Sequence, residues 1–295
     1  MSSICCFLQY KGKAVNTAID LAKEAAKMFE NLPKIVQGKT QISNMPEYIP
    51  PTNGFDICSK EAALYYTFSI AIDYQAKADI LWDRLRKAYV DTMREVSNKP
   101  YNGLFYPEVI LSYKDRPEEL ANIIKKLIGP RSHNYAAKIW LDVASKLKER
   151  YGSDPREITH AKRRVSEVFN QIKDFKGLRG IKIRSLYIRV MWSLGLFKIS
   201  DPENIPVAVD RHVCRFTYLN VCGHQPPENA CDKIDVKEEI ADFWTEVSRE
   251  AEKVIGNKQW LKFPYYDCEE RKWKYINRII PGYIDEVMWG SKENF

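Results

Sequence analysis

The sequence predicts a nearly all-α fold in two lobes, and three observations predict it. Almost every segment of regular hydrophobic spacing repeats with the period of a helix. Only Ile205-Pro-Val-Ala-Val209 reads as extended, and it is too short to imply a sheet. The length, 295 residues, exceeds one typical core and falls short of three.

In chain order, Val15, Ile19, Ala22, Ala26 and Phe29 form one helical stripe, ended by Pro33. Residues 36–58, with three prolines and two glycines, read as a loop or crossing linker. Ser59 is placed to cap a helix running to about Gln75, and a second helix over 78–96 turns Ile80, Leu81, Leu85, Ala88 and Met93 inward. Residues 117–127 form the next, stopped by Gly129-Pro130. Residues 134–151 follow, with Ala137, Trp140, Leu141, Ala144 and Leu147 on one face. After a turn at 151–155, the spacing predicts helices over 159–172, 181–194, 211–221, 236–254, 268–279 and 284–289. The aromatic residues Tyr65, Tyr66, Phe68, Trp82 and Trp140 fall at helical spacing and are expected in the core.

Apolar residues at 45% and charged residues at 29% describe an ordinary globular chain. No stretch approaches the roughly 18 to 20 consecutive apolar residues of a spanning helix, and the first residues lack a basic leader, so a cytoplasmic protein without a membrane is expected. The net charge of +7 favours a polyanionic partner. Residues 162–189 hold nine basic residues (Lys162, Arg163, Arg164, Lys173, Lys176, Arg179, Lys182, Arg184, Arg189) against Glu167 and Asp174. The seven cysteines, Cys5, Cys6, Cys58, Cys214, Cys222, Cys231 and Cys268, are odd in number and scattered. In a reduced compartment they are expected as free, buried thiols rather than a disulfide framework. Cys222, His224 and Cys231 are a weaker, alternative zinc set; no tight Cys-x2-Cys pair exists, and no metal is expected.

The most informative segment is Phe175-Lys-Gly177-Leu-Arg179-Gly180-Ile-Lys182-Ile-Arg184. Two glycines stand between a helix ending near Ile172 and another beginning near Ile181. Glycines there permit positive φ or close approach of a ligand, and N–H groups at a helix start bind anions. A plain glycine-rich turn is the competing interpretation. Downstream, an apolar run leads into Val-Asp210-Arg-His212-Val-Cys-Arg215, where Asp210 has the sequence of a helix N-cap. Near the end, Asp285 and Trp289 are four apart and share a helical face.

These residues resemble the helix-hairpin-helix DNA glycosylases, most closely the archaeal 8-oxoguanine DNA glycosylase/AP lyases. Gly180-Ile-Lys182 resembles the second glycine and lysine of that family's hairpin, and Val-Asp210-x-His212-hydrophobic-x-Arg215 resembles its aspartate string. The chain departs from the pattern by one extra residue between Gly177 and Gly180. A gapless register would instead place Arg184 on the lysine position. The 28 residues from Lys182 to Asp210 are similar to the long connection of the archaeal enzymes.

The resemblance implies two helical lobes, 78–196 ending in the hairpin and 1–77 plus 197–295 carrying the aspartate, with a DNA and base cleft between them. It implies base excision repair, with Lys182 and Asp210 catalytic and an oxidised purine such as 8-oxoguanine excised. Lys182 would attack C1′ as an amine and then permit strand cleavage by β-elimination. It implies Gly177, Arg179, Gly180, Arg184, His212 and Arg215 as DNA-binding residues. Asp285 would accept a bond from the extruded base or anchor the pocket helix, and Trp289 would stack on that base. The partner would be double-stranded DNA with a damaged base, bound by a nucleoid-associated monomer. No cofactor follows, because the four-cysteine spacing of an iron–sulfur cluster is absent. Two alternatives stay open: a monofunctional glycosylase using Asp210 and water, and a non-catalytic hairpin module that binds phosphates alone.

Overall fold

A computed structural model describes residues 7, 10–39, 45–73, 77–94, 102–256 and 258–290. The fold is mostly helical. Helix α1 (Lys11–Phe29) and the short α2 (Leu32–Val36) lead to a tight turn at Pro46–Tyr48. Helices α3 (Lys60–Ile70), α4 (Ala78–Tyr89), α5 (Pro107–Leu111), α6 (Pro117–Leu127) and α7 (His133–Tyr151) follow. After them come α8 (Val165–Ile172), α9 (Ile181–Ser193), α10 (Arg211–Thr217) and α11 (Ile234–Val254). Strands β1 (Phe263–Asp267) and β2 (Lys272–Ile276) precede α12 (Pro281–Gly290).

Local chemistry explains most of the boundaries. Ser59 Oγ accepts from the Ala62 N–H at 3.0 Å and starts α3. Proline opens α5 and α6, where its missing N–H costs nothing. Gly152 closes α7 at φ 56°. The helix expected over 159–172 is shorter: 155–159 forms a separate tight turn, and α8 begins only at Val165, whose N–H is taken by Asp201 Oδ1 at 2.8 Å.

The region expected as a helix over 268–279 is instead part of an antiparallel hairpin, pairing Phe263 with Ile276 and Asp267 with Lys272. Tyr265, Tyr266, Trp273 and Tyr275 suit a pleated, half-buried surface. Asp267 Oδ1 accepts from the N–H groups of Glu269 and Glu270 and folds the turn. Residues 205–209, expected as extended, belong to no strand.

Two cysteine pairs also depart from expectation. Cys58 is bonded to Cys268, and Cys214 to Cys231, whereas Cys222 is a free buried thiol. Cys5 and Cys6 lie outside the described residues. The partners are 210 and 17 residues apart, so proximity arises only in the folded chain and no spacing announces it. Cys231 in a disulfide has no thiolate to offer, which removes the Cys222–His224–Cys231 zinc set.

The buried side chains form one contiguous core, and Tyr65, Tyr66, Phe68, Trp82 and Trp140 are all within it. Helix α1 packs against α11 and α12, and α3 packs against α9 and the 155–159 turn. Among the described residues no helix is long and apolar enough to cross a membrane.

Candidate active site

The turn between α8 and α9 is held from α7. Asp142 Oδ2 accepts the Lys176 N–H at 2.8 Å, and Arg150 pairs with Asp174 at 2.6 Å. Gly177 adopts φ 82°, and a Cβ there would lie 2.5 Å from the Ala71 carbonyl oxygen. That position therefore demands glycine for both conformation and close packing. Gly180 differs. It precedes α9 with ordinary extended dihedrals, it is exposed, and among the described residues beyond its chain neighbours no atom lies within 4 Å of where its Cβ would stand. Arg179 is exposed beside it.

Helix α9 then carries Lys182, Leu186 and Arg189 at i, i+4 and i+7, hence on one face. All three line a cavity of about 80 Å³, together with Glu47, Asp73, Ala208, Asp210, Val213, Asp285 and Glu286. Lys182, half-buried, donates from Nζ to the Asp73 carbonyl oxygen at 3.4 Å. Asp210 stands at the start of α10, where Oδ1 accepts the N–H groups of His212 at 2.7 Å and Val213 at 3.0 Å. The cap anticipated at Asp210 is therefore formed. Lys182 and Asp210, 28 residues apart in the chain, face the same small space.

Arg184 does not line the cavity. Its guanidinium lies 4.4 Å from the Phe169 ring centre and 3.9 Å from Glu238, and burial lowers its pKa. His212 and Arg215 are exposed on α10. Trp289 belongs to α12, but its side chain lies outside the described residues.

Asp285 lines the cavity with both oxygens engaged. Oδ1 meets Arg189 Nη1 at 2.6 Å, and Oδ2 accepts the Ala208 N–H at 3.1 Å. The Gly282 N–H also donates to the Ile205 carbonyl at 2.9 Å. The start of α12 thus clamps the strap that leads directly into Asp210.

Sequence reasoning missed the group around which this wall is built. Arg189, counted there with the basic stretch, is 1% exposed and pairs with Glu47, Asp285 and Glu286. Burial works against its charge, but Asp285 and Glu286 outweigh it and hold the guanidinium above its usual pKa. Burial pushes Glu47 well up, and the neighbouring Glu286 adds to that. Burial pushes Asp285 up to about 7 despite Arg189. The signal available was an arginine two turns after Lys182 in a helix otherwise buried. Glu47, from the 46–48 turn, and Asp73, from the turn that follows α3, had none.

No protein-family model and no curated protein matches the chain.

Proposed function

We propose that this protein is a helix-hairpin-helix DNA glycosylase with AP lyase activity, excising an oxidised purine such as 8-oxoguanine from duplex DNA. The observation that carries this reading is the meeting of Lys182 and Asp210 at one cavity from distant parts of the chain. An amine supplies the nucleophile for C1′, and a carboxylate beside it stabilises positive charge developing on the sugar. Asp210 is suited to the second role because the His212 and Val213 N–H groups at the start of α10 hold its carboxyl group in one orientation. Lys182 at the cavity, with Arg184 packed on Phe169, favours Lys182 as the nucleophile and so the bifunctional chemistry. The exposed Arg179–Gly180 turn and the first N–H groups of α9 would take a DNA phosphate, with His212 and Arg215 on further phosphates.

The test is borohydride trapping on duplexes carrying 8-oxoguanine, uracil, thymine glycol or an alkylated purine. The 8-oxoguanine duplex should give a covalent complex, lost in Lys182→Ala with duplex affinity retained. Asp210→Asn, which keeps a capping side chain, should bind the lesion yet excise several hundredfold more slowly. Trapping by Lys182→Ala at the wild-type level defeats the assignment. Preference for uracil or an alkylated base defeats the choice of lesion.

A further inference from the structure

We propose that Asp73 is a further catalytic residue of this cavity, its carboxylate taking a proton from the Lys182 ammonium and returning it to the departing base. The inference rests on the glycosylase reading and adds to it the route of the proton.

Lys182 can attack only as a free amine, so a neighbouring group has to accept its proton. Five carboxyl groups line the cavity: Glu47, Asp73, Asp210, Asp285 and Glu286. Glu47, Asp285 and Glu286 are all paired to Arg189. Asp210 is tied through Oδ1 to the His212 and Val213 N–H groups at the start of α10, an engagement that suits its role toward the sugar. Asp73 is the remaining one. It is 7% exposed, forms no ion pair among the described residues, and its own carbonyl is the group that Lys182 Nζ already meets.

The groups facing Asp73 come from four elements. They are Lys182 and Arg189 on α9, Trp82 on α4, Glu286 on α12 and Glu47 on the 46–48 turn. Burial raises its pKa, Glu286 adds to the rise, and Lys182, Trp82 and Arg189 oppose it; the balance lies above an ordinary aspartate. A carboxyl moved in that direction is a better base when ionised and can still give the proton back.

The sequence of events balances as follows. The Asp73 carboxylate removes one proton from the Lys182 ammonium. The freed nitrogen lone pair forms the Nζ–C1′ bond while the C1′–N glycosidic bond breaks, its electrons leaving with the base nitrogen. The anionic base then takes the proton from the Asp73 carboxyl, which restores the carboxylate. The positive charge first on the ammonium ends on the C1′-bonded nitrogen.

Single-turnover excision and borohydride trapping on an 8-oxoguanine duplex, followed from about pH 5 to 9, test this for wild type, Asp73→Asn and Asp73→Glu. Asp73→Asn should lose about a hundredfold or more in excision at neutral pH with duplex affinity unchanged. Its residual rate should climb with pH as solvent takes over deprotonation, and Asp73→Glu should recover part of the loss. A pH profile in Asp73→Asn of the same shape as wild type overturns the proposal, as does a loss matched by equal losses in lesion affinity and melting temperature. If wild type itself neither excises nor traps, the glycosylase reading fails and this inference falls with it. If wild type does both and Asp73→Asn keeps its pH profile, the relay alone fails.

Discussion

Arg189 and Asp285 meet Nη1 to Oδ1 at 2.6 Å, and Asp285 passes the contact on through its other oxygen to the Ala208 N–H, two residues before Asp210. One buried ion pair therefore joins the lysine helix α9 to the strap carrying the aspartate. Removing one partner of such a pair leaves the other charges buried without compensation. Arg189→Met keeps much of the volume and strands Glu47, Asp285 and Glu286. It should lower unfolding free energy by about 3 to 5 kcal/mol in urea titrations. A loss below about 1 kcal/mol would mean that the pair is dispensable for stability.

Asp285 also gives stability a pH dependence of defined sign. Its folded pKa, about 7, lies above the ordinary aspartate value of 3.8. The folded state therefore binds the proton more tightly. Its contribution is complete below about pH 4 and is lost as pH rises through about 7. Glu47 and Asp73 shift in the same direction and add to the trend. Urea unfolding at several pH values across this window should show stability falling as pH rises, and the fall should be shallower in Asp285→Asn. A steeper fall in the variant would contradict this origin.

The two disulfides should differ in what they contribute. In the chain-entropy estimate, closing the 210-residue span of Cys58–Cys268 is worth about 5 kcal/mol and the 17-residue span of Cys214–Cys231 about 3 kcal/mol. The paired substitution Cys58→Ala/Cys268→Ala should therefore cost more in denaturant midpoint than Cys214→Ala/Cys231→Ala. The reverse order would show that native-state packing around the fully buried Cys214, rather than loop closure, dominates.

What the sequence made legible follows from how local each signal is. The caps at Ser59 and Asp210 and the helical stripes depend on near neighbours, so they are readable in the chain and present in the structure. Lys182 and Asp210 could be named from short strings, and the cavity does bring them together. The β1–β2 hairpin was hidden because its Tyr and Trp residues also fit an amphipathic helix, and only the Asp267 turn separates the two. The disulfides and the Arg189 cluster join residues that are far apart in the chain, Glu47 and Arg189 being 142 positions apart. A basic residue inside a basic stretch gives no local sign that it is buried.

The two turn glycines offer the sharpest separation of structural from binding roles. Gly177 has φ 82°, and an added Cβ would meet the Ala71 carbonyl at 2.5 Å and Ile139 Cγ2 at 2.7 Å. The left-handed backbone alone costs a side chain about 1 to 2 kcal/mol, and the Ala71 contact is with main chain that cannot swing aside. Gly177→Ala should thus destabilise by about 2 kcal/mol or more, with any loss of DNA affinity following from the displaced turn. Gly180 has φ −73° and ψ 142°, open space around its Cβ position, and an exposed place before α9. Alanine there loses a little as an N-cap and gains a comparable amount from a less flexible unfolded chain, so stability should change by less than about 0.5 kcal/mol. A phosphate backbone lying against that open space would nevertheless meet the new methyl group. On the proposed DNA-binding reading, Gly180→Ala should accordingly weaken duplex binding at fixed salt while its urea midpoint stays at the wild-type value. Wild-type affinity in Gly180→Ala would count against the proposed DNA contact at this turn, and a fall in midpoint as large as that of Gly177→Ala would make both glycines structural.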